Sequence, residues 1–297
     1  MKKVLCVILL CQLSVMVEAK ELYRAKSLYR DIYVIQNDDL LCLKFSIPRR
    51  EDTSQSCMDR DDPFRLVFNY TRMMMATVLV NPEPRSILIV GLGGGTLPTA
   101  FNDMYPDAEI TRVEIDPAVA KVARKYFDFK ESERNRVVIK DARLHIKRQA
   151  LKNKKYDLII LDAFGSDYIP EHLTTVEFLE EVKQVLSPQG VLASNTFSTS
   201  KFYHHESSTY AEVFGRFYVM QTNAGSNRII LYSGDDALLN IENIERNVEA
   251  LGEKLEKYDV DAKLMLRSIT TLPLWNESAR PLTDQYSPAN ILNAKEK

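Results

Sequence analysis

Ser86-Ile87-Leu88-Ile89-Val90-Gly91-Leu92-Gly93-Gly94-Gly95-Thr96 is the stretch on which the reading of the fold turns. Five residues, four of them apolar, read as a buried strand, and a glycine-rich turn follows at once. Glycines there let the backbone take conformations that other residues resist, and let it come close to a ligand. Downstream, Glu109–Ile115, Val137–Ile139, Leu158–Leu161 and Gly190–Ser194 read as further strands. Their spacing leaves room for helices, among them Pro117–Phe127 and Thr175–Leu186. Strands alternating with helices imply a parallel sheet covered on both faces, hence an α/β protein. Phe217–Thr222 and Arg228–Tyr232 read as a closing antiparallel pair, and residues 238–258 as a charged helix before a polar tail. Upstream, Ile32–Ile35, Leu40–Leu43 and Phe64–Phe68 read as a small antiparallel β-unit, with Asn37-Asp38-Asp39 turning between the first two.

Chemistry-bearing residues fall at the ends of the parallel strands. Gly91, Gly93 and Gly95 form the first loop. Glu114 ends the second strand about 20 positions later, where a carboxylate accepts both hydroxyls of a ribose. Asp141-Ala142 ends the third, where an acid faces the amino group of an adenine. Taken singly, each is equally a turn glycine or a solvated surface acid; three consecutive loops together describe a nucleoside pocket. After the fourth strand come Asp162 and Asp167. Carboxylates there anchor a cationic amine and take its proton, although an Asp capping the next helix reads the same way.

Those residues carry a resemblance. Ser27-Leu28-Tyr29-Arg30-Asp31-Ile32-Tyr33-Val34 resembles the N-terminal strand of the spermidine/spermine synthase family, the polyamine aminopropyltransferases, with Gln55 and Tyr70 near that family's substrate-facing Gln and Tyr. Asp162-Ala163-Phe164-Gly165-Ser166-Asp167, Ile169-Pro170, His172-Leu173-Thr174 and Leu282-Thr283-Asp284-Gln285-Tyr286-Ser287-Pro288 resemble a divergent spermidine synthase-like branch. The resemblance implies the seven-stranded Rossmann-like fold of class I S-adenosylmethionine-dependent transferases behind a small β-domain. It divides the chain into a β-domain over 20–80, a catalytic domain over 81–236 and a C-terminal helix and tail over 237–297. It also implies decarboxylated S-adenosylmethionine as aminopropyl donor, a polyamine or other small amine as acceptor, and a homodimer. Asp162 then deprotonates the amine, and Asp167 or Asp284 holds its distal charge.

Departures keep two other activities open. Gly94 stands where the family carries an acid that meets the donor's free amine, which relaxes the exclusion of ordinary S-adenosylmethionine. Thr71-Arg72 replaces a His or Gln and a Glu, and Arg72 would repel a polyamine if it faced the pocket. A methyltransferase using S-adenosylmethionine, and a non-catalytic nucleoside- or polyamine-binding protein, are the alternatives.

The N-terminus adds a question of place. Lys2 and Lys3 precede the uncharged run Val4–Val17, and Val17-Glu18-Ala19 offers small or β-branched residues before Lys20. That is the layout of a cleaved signal peptide over 1–19; the run is too short for a bilayer span, which needs about 20 residues. Export to an oxidising space lets Cys42 and Cys57 pair; a buried N-terminal element, two free thiols and a cytoplasmic location are the alternative. With 39 Lys+Arg against 41 Asp+Glu the net charge is −2, so no positive field favours nucleic acid. The 45% hydrophobic and 27% charged content excludes a disordered or multi-span membrane protein. His145, His172, His204 and His205 lack metal-motif spacing, so no metal site is expected.

Overall fold

The computed structural model describes residues 19–46, 54–164, 169–270 and 273–287. Residues 1–18 of the proposed signal segment, and Asp167, therefore lie outside the described residues.

The N-terminal unit is a four-stranded antiparallel meander of β1 (Lys20–Lys26), β2 (Asp31–Asn37), β3 (Leu40–Lys44) and β4 (Ser54–Asp59). Asp38, at φ 50°, makes the tight turn between β2 and β3. Alternate residues Ile32, Val34, Leu41 and Leu43 are buried and pack with Met58 against Val119, Val122 and Phe127. That apolar face fastens the meander to helix α3 (Pro117–Tyr126) of the main domain. The sequence reading needs two corrections here. β1 and β4 are strands that it missed. Phe64–Phe68 is not a strand: its one sheet-like contact is the isolated bridge Met58–Leu66, and Arg65 is turned to Asp59 at 2.7 Å. Helix α1 (Asn69–Met75) follows, with Met73, Met74 and Met75 wholly buried in the main core.

The central sheet is built from β5 (Ser86–Val90), β6 (Glu109–Glu114), β7 (Asn135–Ile139), β8 (Tyr156–Leu161), β9 (Leu186–Phe197), β10 (Tyr218–Met220), β11 (Asn227–Ser233) and β12 (Ile269–Thr270). Their order across the sheet is β12-β10-β11-β9-β8-β5-β6-β7. Strands β5 to β9 pair in parallel, and β11 runs antiparallel between β9 and β10. The eighth strand, β12, is an addition to the expected seven, pairing with β10 through Val219 and Met220.

Helices α2 (Thr96–Met104), α3, α4 (Ala142–Leu151), α5 (Val176–Val185) and α6 (Tyr203–Phe214) connect the strands, and α7 (Ile241–Glu256) with α8 (Ala262–Arg267) follows them. Asp116, Asp141, Thr175, Asn240 and Asp261 cap α3, α4, α5, α7 and α8 through side-chain oxygens, supplying acceptors that helix N-termini lack. The tail is less polar in use than in composition: Leu282 is buried, and the Trp275 ring lies 5.2 Å from that of Phe217. No helix among the described residues is long and apolar enough to cross a membrane.

Candidate active site

Parallel strands end together, so β5, β6, β7 and β8 deliver four loops to one edge of the sheet. There a cleft of about 930 Å³, open mouth included, lies between that edge and the N-terminal meander. Gly91, Gly93, Glu114, Asp141, Ala142 and Asp162 all line it, joined by Gln55 and Tyr70.

The glycine loop shows why its residues are small. Gly91 has φ 101°, and a Cβ there would run into the carbonyl oxygen of Asp162. Gly95, at φ 81°, caps α2, and a Cβ would lie 2.7 Å from the Phe129 ring. Gly95 therefore shapes the turn, while its neighbours Gly93 and Thr96 line the cleft. Gly94 also faces inward: a Cβ there would sit 2.7 Å from the Phe127 ring and 2.9 Å from Ser56 Oγ. A side chain at 94 meets packed protein before it meets a donor.

Glu114 is almost wholly buried, and its carboxylate accepts from the backbone N–H of Leu92 at 3.2 Å and of Asp116 at 2.9 Å. It thus braces the glycine loop as well as lining the cleft. Burial pushes its carboxyl above the usual range, against these hydrogen bonds and the Arg30 charge. Asp141 caps α4 through Leu144 N–H and meets His172 Nε2 at 2.9 Å.

Asp162 stands half-buried just past β8. Its Oδ1 accepts from Asn195 Nδ2 at 2.9 Å, and Asn195 Oδ1 in turn accepts from Asn227 Nδ2 at 2.9 Å. Burial pushes the Asp162 carboxyl up to about 7, more than the Asn195 hydrogen bond holds it down. A carboxyl poised near neutrality is suited to proton transfer. Tyr70 Oη donates to Gln55 O at 3.2 Å, and its hydroxyl is raised by burial and by the Asp162 charge, so it stays a protonated donor.

Asp284 is elsewhere. Arg143 grips both its oxygens at 2.7 and 2.8 Å, and Thr175 Oγ1 donates to Oδ1 at 2.8 Å. Arg143 holds its carboxyl below the usual carboxylate range. This residue ties the C-terminal segment to α4 and α5 and is not among the residues that line the cleft. Arg72 is likewise turned away, donating to Leu66 O and Val67 O and pairing with Asp259 at 2.9 Å.

Among the lining residues that escaped the sequence reading as site residues are Arg30, Ser56, Thr96 and His172. Arg30 donates to Phe164 O at 3.1 Å and lies 4.2 Å over the Phe45 ring. Ser56 belongs to the missed strand β4, so no local signal marked it. No cluster of metal-ligating side chains occurs among the described residues.

Similarity to known proteins agrees with this geometry. The spermine/spermidine synthase domain profile matches residues 67–234. A polyamine aminopropyltransferase of Vibrio vulnificus is 46% identical over 272 residues, covering 91% of each chain. Among solved structures, a spermidine synthase in complex with the transition-state analogue AdoDATO superposes with a TM-score of 0.64 at 21% identity, over 85% of each chain. Human methyltransferase-like protein 13 in complex with SAH gives 0.58 at 27% identity, over 71% of this chain and 96% of its own. With the profile matching more than half of this chain and a relative at 46% identity matched almost end to end, this chain belongs to the spermine/spermidine synthase family of transferases.

Proposed function

We propose that this protein transfers an aminopropyl group from decarboxylated S-adenosylmethionine to a polyamine or another small amine. The observation that carries the reading is the placement of Asp162, held by Asn195, in the same cleft as Glu114 and Asp141, two acids that suit a nucleoside. In this reading Glu114 accepts the ribose hydroxyls and Asp141 the adenine amino group. The acceptor's amine attacks the carbon beside the sulfonium, the carbon–sulfur bond breaks, and methylthioadenosine leaves. Asp162 takes the proton that the amine loses, and positioning of the two reactants in one cleft lowers the entropic cost.

The test is incubation of the purified protein with either sulfonium donor and a panel of amines, read by mass spectrometry. Gain of one aminopropyl unit on the amine is expected. Gain of a methyl unit from S-adenosylmethionine would replace this reading with methyl transfer. No gain with either donor would leave a binding protein.

Glu114→Ala is expected to weaken methylthioadenosine by about 1.5–3 kcal/mol, the scale of a hydrogen bond to a charged group. It should also lower Tm, because Leu92 N–H and Asp116 N–H lose their acceptor. Calorimetric affinity equal to wild type would remove the ribose assignment.

Gly94→Asp is expected to cost stability before it alters donor choice. Inserting a side chain against Phe127 is overpacking, worth about 1–3 kcal/mol. Gly94→Ala carries the same clash without the charge. Lowered Tm in both, with an unchanged ratio of the two donors' dissociation constants, is the expected pattern. A Gly94→Asp variant of wild-type Tm and shifted ratio would place residue 94 at the donor's tail.

We also propose that the protein is exported through residues 1–19 and acts in an oxidising compartment, a reading supported by the Cys42–Cys57 pair.

A further inference from the structure

Asp162, Asn195 and Asn227 stand side by side on three neighbouring strands of the sheet. Leu161 of β8 pairs with Ser194 of β9, so Asp162 follows β8 beside Asn195. On β11, Ile229 pairs with Asn195, and Asn227 pairs with Phe197. Asn195 and Asn227 are therefore diagonal neighbours on one face of an antiparallel pair, within reach of each other's side chains. The three side chains form a single row of hydrogen bonds. Asn227 Nδ2 donates to Asn195 Oδ1 at 2.9 Å, and Asn195 Nδ2 donates to Asp162 Oδ1 at 2.9 Å.

The row has a direction. Asn195 is 2% exposed, so its amide has to find its partners within the protein. Turning that amide over would set its oxygen against the Asp162 carboxylate and its NH2 against the NH2 of Asn227. Both bonds would give way to contacts of like polarity. Asn227 thereby fixes which end of Asn195 meets the carboxylate. A hydrogen bond that ends on an ionised acceptor is roughly twice as strong as a neutral one, and a donor that itself accepts a bond is polarised further. The bond from Asn195 holds the Asp162 carboxyl down against the effect of burial.

Neither asparagine is among the residues that line the cleft, whereas Asp162 is. Tyr70, Arg30, Glu114, Lys140, Asp141 and His172 share the cleft with Asp162. On the far side of Asn195, Glu206 of α6 is paired with Arg228 of β11. A change at 227 therefore reaches Asp162 through Asn195 and not through a contact with a reactant.

We propose that Asn195 is the positioning residue of Asp162 and that Asn227 sets its orientation, so that Oδ1 is held from the sheet and Oδ2 takes the proton of the attacking amine. This rests on the aminopropyl-transfer reading, in which Asp162 is the base. As the nitrogen–carbon bond forms and the carbon–sulfur bond breaks, the amine's proton passes to Oδ2, while Oδ1 keeps its bond to Asn195.

The test is the pH profile of kcat/KM for aminopropyl transfer from decarboxylated S-adenosylmethionine to 1,4-diaminobutane. In Asn195→Ala the acidic limb should move to higher pH by about one to two units, the scale of a hydrogen bond to a charged group. Asn227→Ala should move the limb in the same direction and less far, since Asn195 is then free to turn over. Methylthioadenosine affinity should stay at the wild-type level in both. If Asn195→Ala does not fold, Asn227→Ala decides. A limb at the wild-type pH in the variants overturns the positioning role. So does a fall in kcat with an unmoved limb and weakened methylthioadenosine binding, the pattern of a pair that only supports the fold. A wild type that transfers nothing, or an acidic limb that persists in Asp162→Asn, overturns the reading of Asp162 as the base, and the positioning role with it.

Discussion

Asp162→Asn is expected to lower kcat by about 10²–10⁴-fold, the contribution of a positioned general base, while methylthioadenosine binds as before. The amide keeps the shape and still offers Oδ1 to Asn195 Nδ2, yet it neither takes a proton nor neutralises an ammonium. Titration gives an independent signature. Burial raises the Asp162 carboxyl from its ordinary 3.8 to about 7, so the base form is lost as pH falls through 7. Wild-type kcat/KM should therefore drop about tenfold per pH unit below that point, and the variant's residual rate should lack this limb.

Stability runs the other way. A raised carboxyl binds its proton more tightly in the folded than in the unfolded chain, so the fold loses stability as pH rises from about 4 to about 7 and no further. Asn at 162 escapes that loss, and its Tm should match or exceed wild type at pH 8. A variant with most of its turnover, or one whose Tm drops at pH 8, would make Asp162 a structural residue.

The same residue shows what was legible in the chain. Asp162, Glu114 and Asp141 were readable because each directly follows or ends an apolar strand of a parallel sheet, and ligands bind at the carboxyl ends of such strands. Strand β5 was readable because it is continuous in apolar residues and stopped by glycine. The N-terminal meander was only half legible. β1 (KELYRAK) and β4 (SQSCMD) are polar in composition, and what makes them strands is pairing: six residues of β1 against β2, and Cys57 directly opposite Cys42. Phe64–Phe68 has the composition of a strand and no neighbour to pair with beyond one bridge, a case of tertiary context overriding propensity. Ser56, Arg30 and Asn195 reach the site from three separate elements, and no spacing in the chain announces that convergence. Asp284 is the opposite case: its motif marks a docking point for the C-terminal segment on Arg143, and the sequence shows the acid but not the arginine that grips it.

Removing the covalent link within the meander is expected to be the largest change in stability. Cys42 and Cys57 face each other across β3 and β4 with Cα atoms 4.1 Å apart, joined as a disulfide. They are separated by 15 positions, and opening a loop of that size costs about 3 kcal/mol in the chain-entropy model. A Cys42→Ser, Cys57→Ser double variant should therefore lose about 3 kcal/mol in denaturant titration, or roughly 5 °C in Tm for a chain of this length. Reductant should lower wild-type Tm by a similar amount and leave the variant unmoved. Cys57 is adjacent to Ser56 in the cleft wall, so methylthioadenosine affinity should fall in the same variant. Equal stability with and without reductant would mean that the ladder alone holds β4. Intact mass from the native host completes the test, because a disulfide persists only where the surroundings are oxidising. A mass matching residues 20–297 less two hydrogens is expected. A full-length, reduced chain in the cytoplasm would overturn export.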